Sequence, residues 1–403
     1  MEFKINIDPK QFDTFVTNHS NCHYGKTSMW GEVKHHHDHY KPVLSGLYDK
    51  EQLIATALLL HHHQWGIHYL YIPWGFCTDY HQAEIIQFYT QSLQQYAKQN
   101  KLTFIRIDPN VRRFNEDGSD NQNIVNALEH VGFIHKGYGY GYDGSWSNRY
   151  TLMIDIQDDF TAIQNRFSNS RKSAIKKHNV FSIHTEKADL SKLDVLCRLE
   201  QDLVTTKKFK AHSIQFFQTI CDCFSNNYIY AISTLNLDES IHKIEAEIQS
   251  GKYAKDPEAL QSKQKSCDDL SQLKEKYGSS IEIAAGLFLY ANHSCWDLYL
   301  YKCSDFNFVN GTDEIHRFMI QSMKEKGITC YDMCGFSGST DPSDPYYGLY
   351  LYKSSFGSKI IEHIGEFNLV LHPFKMKVFT WLDRFTRKVK RRINYIKSSV
   401  LKS

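Results

Sequence analysis

The pattern of strands and helices in this chain runs through once and then begins again. Alternating or continuous apolar residues predict strands at Leu53 to Leu60, Tyr69 to Ile72 and Phe104 to Ile107. Helical spacing predicts helices at about Gln82 to Gln99 and near Asn121 to Val131. A Gly/Tyr-rich stretch, Gly137 to Gly144, follows, and the pattern then restarts. The second run has a strand at Tyr150 to Ile154, a helix from about Asp159 to His178, helices between Lys192 and Phe224, and strands at Tyr228 to Leu235 and Ile283 to Tyr290. At 403 residues the chain exceeds one ordinary core. Length suggests two or three domains, and the restart sets out two of them, mixed units of an α+β fold, at residues 1–148 and 149–372.

Residues 238–278 do not fit either domain's core. Ile241, Ile244 and Ile248 share one helical face, Gly251 to Pro257 breaks it, and Leu260, Cys267, Leu270, Leu273 and Tyr277 resume similar spacing. Two antiparallel helices forming a coiled-coil arm, inserted in the second domain, are predicted. The net charge of the whole chain is only +2, yet residues 373–403 hold ten Lys/Arg against one acid, Asp383. Arg384, Arg387, Lys388, Lys390, Arg391 and Arg392 alternate there with Phe379, Trp381, Phe385, Val389 and Ile393. This reads as a basic amphipathic tail suited to an anionic membrane surface or to a nucleic-acid backbone.

Several chemistries lack their residues. No run of about eighteen apolar residues exists and no basic-then-apolar leader opens the chain, so a cytoplasmic protein with at most peripheral membrane contact is expected. Ten scattered cysteines without a CxxC pair read as reduced thiols. His35, His36, His37 and His39, and His61 to His63, have no Cys or carboxylate spaced to complete a metal set, so no metal is assigned. There is no Gly-x-Ser-x-Gly elbow, Walker A loop or dinucleotide fingerprint.

Three features remain. Asp108 follows the strand Phe104 to Ile107, and Pro109 stops the ladder there, which presents a carboxylate into a cleft or caps a helix. Ser170 to Lys177 gives a basic helix face suited to phosphate. Lys353 lies between an aromatic segment and Gly357. Leu349 and Leu351, then Ile360, Ile361 and Ile364, read as two strands around a turn, with Lys353 near a strand end.

Six segments carry a resemblance. They are Ser28-Met-Trp30-Gly-Glu-Val-Lys34; Tyr71-Ile-Pro-Trp-Gly75 with Asp79-Tyr80; Phe104-Ile-Arg-Ile-Asp-Pro109; Ser170-Arg-Lys with Ile175; Tyr331-Asp-Met-Cys-Gly335; and Gly348 to Gly357 through Glu362-His-Ile-Gly365. In this order, and with the inserted arm, the chain from about Lys26 to Pro373 resembles the FemABX family of aminoacyltransferases that build peptidoglycan cross-bridges.

The resemblance implies two N-acetyltransferase-like (GNAT-type) domains, the second carrying the arm. It implies transfer of an amino acid from aminoacyl-tRNA, a co-substrate and not a cofactor, to the stem-peptide amine of a muropeptide precursor. Length, arm and tail favour the lipid-linked over the UDP-linked precursor, at the inner face of the membrane; DNA is not a partner. By the same resemblance Lys353 stabilises the oxyanion, Asp108 orients or deprotonates the acceptor amine, and Lys34, after Trp30, meets precursor phosphate. His212 and Phe216 stand where relatives carry an arginine and a tyrosine, and Tyr299 matches an aromatic of the second cleft. Trp74 replaces a more usual arginine. Two alternatives stay open from sequence: an acyl-CoA N-acyltransferase of the same fold, although no pyrophosphate loop is present, and a non-catalytic module binding tRNA or membrane.

Overall fold

The structure is a computed structural model. It describes residues 1–141, 147–207 and 211–400, leaving aside the side chains of 177, 178, 205–207, 387, 388 and 390–400. In chain order its elements begin β1 (Glu2–Ile5), α1 (Pro9–Asn18), α2 (Ser28–Asp38), β2 (Lys41–Asp49), β3 (Gln52–Gln64), β4 (Ile67–Ile72), α3 (Ala83–Gln99), β5 (Phe104–Ile107), α4 (Gln122–His130) and β6 (Phe133–His135). They continue with β7 (Tyr150–Asp155), α5 (Phe160–Asn165), α6 (Asn169–His178), β8 (Ser182–Lys187), α7 (Leu193–Lys207), α8 (Ile214–Phe224), β9 (Tyr228–Asn236), α9 (Leu237–Gln249) and α10 (Pro257–Tyr277). The chain closes with β10 (Ser280–Ala291), β11 (Ser294–Lys302), α11 (Gly311–Glu325), β12 (Cys330–Phe336), α12 (Tyr347–Ser354), β13 (Lys359–Glu362), β14 (Phe367–Val370) and α13 (Pro373–Val400).

Two seven-stranded sheets organise these elements, in the orders β1-β2-β3-β4-β5-β14-β6 and β13-β7-β12-β11-β10-β9-β8. The inner strands are buried on both faces, as Ala55 and Ala57 to Leu60 in β3 and Ala284 to Leu289 in β10 show, and so they read as continuous apolar runs. The expected boundary at 148/149 separates the two sheets up to β13 but fails beyond it. β14 was expected inside the second domain; it pairs instead with β5 and β6, Phe367 facing Ile107 on one side and His135 on the other. Alternation reveals a strand but not its partner.

The arm is a pair of helices, α9 and α10, packed through buried Ile244 and Leu270. Its two ends leave from opposed residues of adjacent strands, Asn236 and Ser280, so the insertion leaves the ladder intact. The single helix expected from Asp159 to His178 is two, because Ser168 caps α6 by accepting from the Arg171 amide at 3.1 Å. The tail begins as the predicted helix, α13, anchored by buried Phe379 against Trp65, Tyr69 and Phe104 of the first domain.

A further correction concerns Lys353. It sits in the last turn of helix α12, not near a strand end. Only the second predicted strand, Ile360 and Ile361, forms, as β13.

Candidate active site

Asp108 leaves the end of β5 in the first sheet and is buried. Its carboxylate accepts from the Trp74 amide at 2.7 Å, the Tyr71 hydroxyl at 2.7 Å and the Ser147 hydroxyl at 2.5 Å. Burial pushes its pKa up to about 7, against the three hydrogen bonds, which favour the anion. The Trp74 amide is aimed by a tight turn in which Trp74 and Gly75 both have positive φ, 58° and 69°. A Cβ at Gly75 would lie 2.9 Å from the Pro109 main chain, so the turn requires glycine. Asp108 opens onto a cleft of about 270 Å³, walled also by Arg106, Arg149, His363 and, from α13, Thr380 and Arg384.

Lys353 belongs to the second sheet. Its ammonium donates to the carbonyls of Met333 and Gly335, at 2.5 and 2.8 Å. Both carbonyls lie where the β12–β7 register slips, and Cys334 between them has φ 59°. A bulge of this kind turns main-chain oxygens out of the ladder. Beside it, Asp297 and Asp332 are buried carboxyls whose pKa values desolvation raises to about 7, with the Lys353 charge pulling each back. Asp332 accepts from the Cys334 amide at 2.7 Å. Neither aspartate was given a role from the sequence. The available signal was a carboxylate inside an otherwise apolar strand.

The residues expected to hold the precursor converge. Thr27 caps α2, accepting from the Trp30 amide at 3.2 Å, and the helix then stacks Lys34 one turn beyond Trp30, its ammonium 5.0 Å from the indole. Helix α8 faces α2, so the ring of His37 lies 4.3 Å from Phe216. His212 stacks on Phe216 at 4.3 Å and meets Tyr299 at 5.2 Å. Each polar member is partly engaged, Lys34 by Asp38 at 2.8 Å and His212 by buried Glu200 at 2.7 Å.

Aromatic side chains stand between these groups. His23 stacks on Trp74 at 3.9 Å and lies 4.9 Å from Trp296, the neighbour of Asp297. Tyr24 contacts both Trp296 and Trp30. These rings form an aromatic wall that runs from Trp74, whose amide holds Asp108, to Trp296 beside Asp297, and Asp108 and Lys353 share no hydrogen bond or ion pair among the described residues. Lys26 was also missed. It is buried on Asn21 and on the Phe76 carbonyl at 3.0 Å, and desolvation lowers its pKa to about 8.

Other expectations resolve differently. On the basic face of α6, Arg171 is taken up by an ion pair with buried Asp313 and a 2.9 Å bond to Ser355, and Lys172 by the Asn165 carbonyl. Arg171, paired with a buried carboxylate, is not free for phosphate. His35 to His37 occupy the last turn of α2, and among the described residues no three His, Cys, Asp or Glu side chains converge on a metal site. The side chains of Arg387, Lys388, Lys390, Arg391 and Arg392 lie outside the described residues. No described helix is long and apolar enough to cross a membrane.

Two mixed sheets, a helical insertion in the second and polar groups held at strand ends and a bulge define a two-lobed α+β protein of the N-acetyltransferase-related type. A crystal structure of FemX superposes with a TM-score of 0.79 at 22% identity, covering 95% of this chain and 100% of that one. The FemAB family profile matches residues 7–384, and the chain belongs to that family of peptidoglycan-bridge-forming aminoacyltransferases, which move an amino acid from aminoacyl-tRNA onto a precursor's stem peptide. A lipid II:glycine glycyltransferase of Staphylococcus aureus (strain MSSA476) is 24% identical over 396 residues, 92% of this chain and 93% of the relative. The C-terminal domain of a putative lysylphosphatidylglycerol synthetase from Agrobacterium fabrum shares the fold more loosely, with a TM-score of 0.50 at 8% identity, over 94% of this chain and 95% of that one. Membership of an aminoacyltransferase family sets aside the acyl-CoA and non-catalytic alternatives.

Proposed function

We propose that the chain attaches its amino acid to a lipid-linked precursor, with Lys353 stabilising the oxyanion and Asp108 serving the acceptor amine. The observation that carries this is the state of Lys353. Its ammonium rests on two carbonyls, and among the described residues no carboxylate forms a contact ion pair with it. The ammonium is thus fixed in direction and not neutralised by a contact anion, the arrangement in which a cation stabilises a developing oxyanion.

In the step so assigned, the stem-peptide amine attacks the ester carbonyl that joins the amino acid to the tRNA ribose. The C–N bond forms and negative charge gathers on the carbonyl oxygen opposite Lys353. The ester C–O bond then breaks and the ribose oxygen leaves as a hydroxyl, taking up a proton in place of the one the amine releases. The amine must give up a proton, and Asp108, whose pKa of about 7 suits a base at neutral pH, is the acceptor assigned to it. Trp30, Lys34, His212, Phe216 and Tyr299 hold the precursor, ring stacking replacing part of a phosphate contact. The relative's printed activity on lipid II supports a lipid-linked acceptor and, with it, the reading that transfer takes place in the cytoplasm at the inner face of the membrane. The basic end of α13, Arg387 to Arg392, is assigned to tRNA or membrane phosphates.

The test incubates the purified protein with a mixture of charged tRNAs and either lipid-linked or UDP-linked precursor, and reads precursor mass. A gain of one amino acid on the lipid-linked form is expected. Gain on the UDP-linked form alone sinks the choice of acceptor.

A further inference from the structure

Helix α13 shows two unlike faces. One holds Phe379, buried in the first domain, and contributes Thr380, Asp383 and Arg384 to the wall of the Asp108 cleft. The other exposes Phe374 (79%), Trp381 (63%) and Phe385 (54%), with Val378 and Val389. At 3.6 residues per turn these five fall within an arc of about 80°. Lys375, Lys377 and Arg384 are exposed along its flanks. Three uncovered aromatic rings in one helical stripe are costly in water and need an occupant.

We propose that this stripe lies in the plane of an anionic lipid surface, its rings entering the headgroup and acyl boundary while the flanking cations meet lipid phosphates. The occupant follows from charge and shape. With ten Lys/Arg against one acid in residues 373–403, two copies of this face would repel each other. A nucleic-acid backbone would satisfy the cations and leave the aromatic stripe in water. An anionic bilayer satisfies both, because aromatic rings favour its interface and basic residues its surface potential. Since the opposite side of α13 walls the Asp108 cleft, docking sets that cleft one helix diameter from the lipid. This deepens the proposed membrane contact and does not depend on the transfer chemistry.

The experiment is co-sedimentation of the full-length protein with phosphatidylglycerol-containing vesicles and with phosphatidylcholine vesicles. Binding at least tenfold tighter to the anionic vesicles is expected. The combined variant Phe374→Ser, Trp381→Ser, Phe385→Ser should lose at least tenfold of it with an unchanged unfolding temperature. Lys375→Glu with Lys377→Glu should weaken it several-fold, a second reading that leaves the stripe intact. Equal binding to both vesicles, no binding, or full binding by the serine variant overturns the proposal. So does a serine variant that keeps vesicle binding and loses retention of charged tRNA on a filter. Sedimentation needs no turnover, so a protein that docks but transfers nothing would refute the proposed reaction and leave docking established.

Discussion

A lysine on two carbonyls is solvated by the protein much as water would solvate it, but in fixed directions. The Lys353 ammonium is therefore already oriented and need not reorganise when an oxyanion forms. Lys353→Met should lower kcat by about 100-fold, roughly 3 kcal/mol, while the unfolding temperature, followed by circular dichroism, changes little. An unchanged kcat would remove Lys353 from the chemistry. Asp108 gives a pH signature. With its pKa raised to about 7, it is protonated and idle as a base below that pH and ionised above it. The rate of transfer should rise through about pH 7, and Asp108→Asn should lose that limb and keep only the one belonging to the acceptor amine. A limb unmoved by Asp108→Asn would assign it elsewhere.

At the scale of elements, sequence showed Asp108 better than Lys353, for a physical reason. A short apolar strand closed by Pro109 has one reading. The segment around Tyr347, Tyr350, Leu351 and Tyr352 is apolar at almost every position, so it fits both a period of 2 and a period of 3.6. Packing decides: Tyr350 lies against Phe336 and the Arg171 guanidinium lies 4.8 Å over Tyr352, which only the helical arrangement of α12 allows. The arm and the tail helix were legible because their periodicity extends over several turns. The convergence of His37, His212, Phe216 and Tyr299 was only partly so, since it depends on α2 facing α8. Arg171 earns a different prediction from the one its sequence context invited. Its guanidinium neutralises Asp313, whose side chain is 2% exposed, so Arg171→Ala should cost about 3–5 kcal/mol in urea unfolding by stranding a buried carboxylate. A loss below about 1 kcal/mol would return Arg171 to the solvated surface.

At the scale of the whole molecule, the two halves are tied by β14. Residues 1–148 hold six strands of the first sheet but not the one between β5 and β6. A fragment of those residues should lack a cooperative thermal transition, and adding residues 149–403 should restore one; a stable isolated fragment would show the sheet to be complete without β14. Sequence could not show this, because strand partners more than two hundred residues apart leave no local trace. The aromatic wall of His23, Trp74 and Trp296 spans the same junction, so cleft geometry depends on both halves holding together.

That late strand also sets a schedule. A ribosome releases the chain from its N-terminus, so β5 waits with an unpaired edge while the whole of the second sheet and the arm are made. Only when Phe367 to Val370 emerge can the first sheet close. For most of its synthesis the nascent protein carries an open apolar edge of the kind that holdase chaperones cover and that neighbouring nascent chains can invade. Messages truncated before the codons for Phe367 to Val370 should accordingly yield a product whose first sheet stays open, not an enzyme that lacks only its tail.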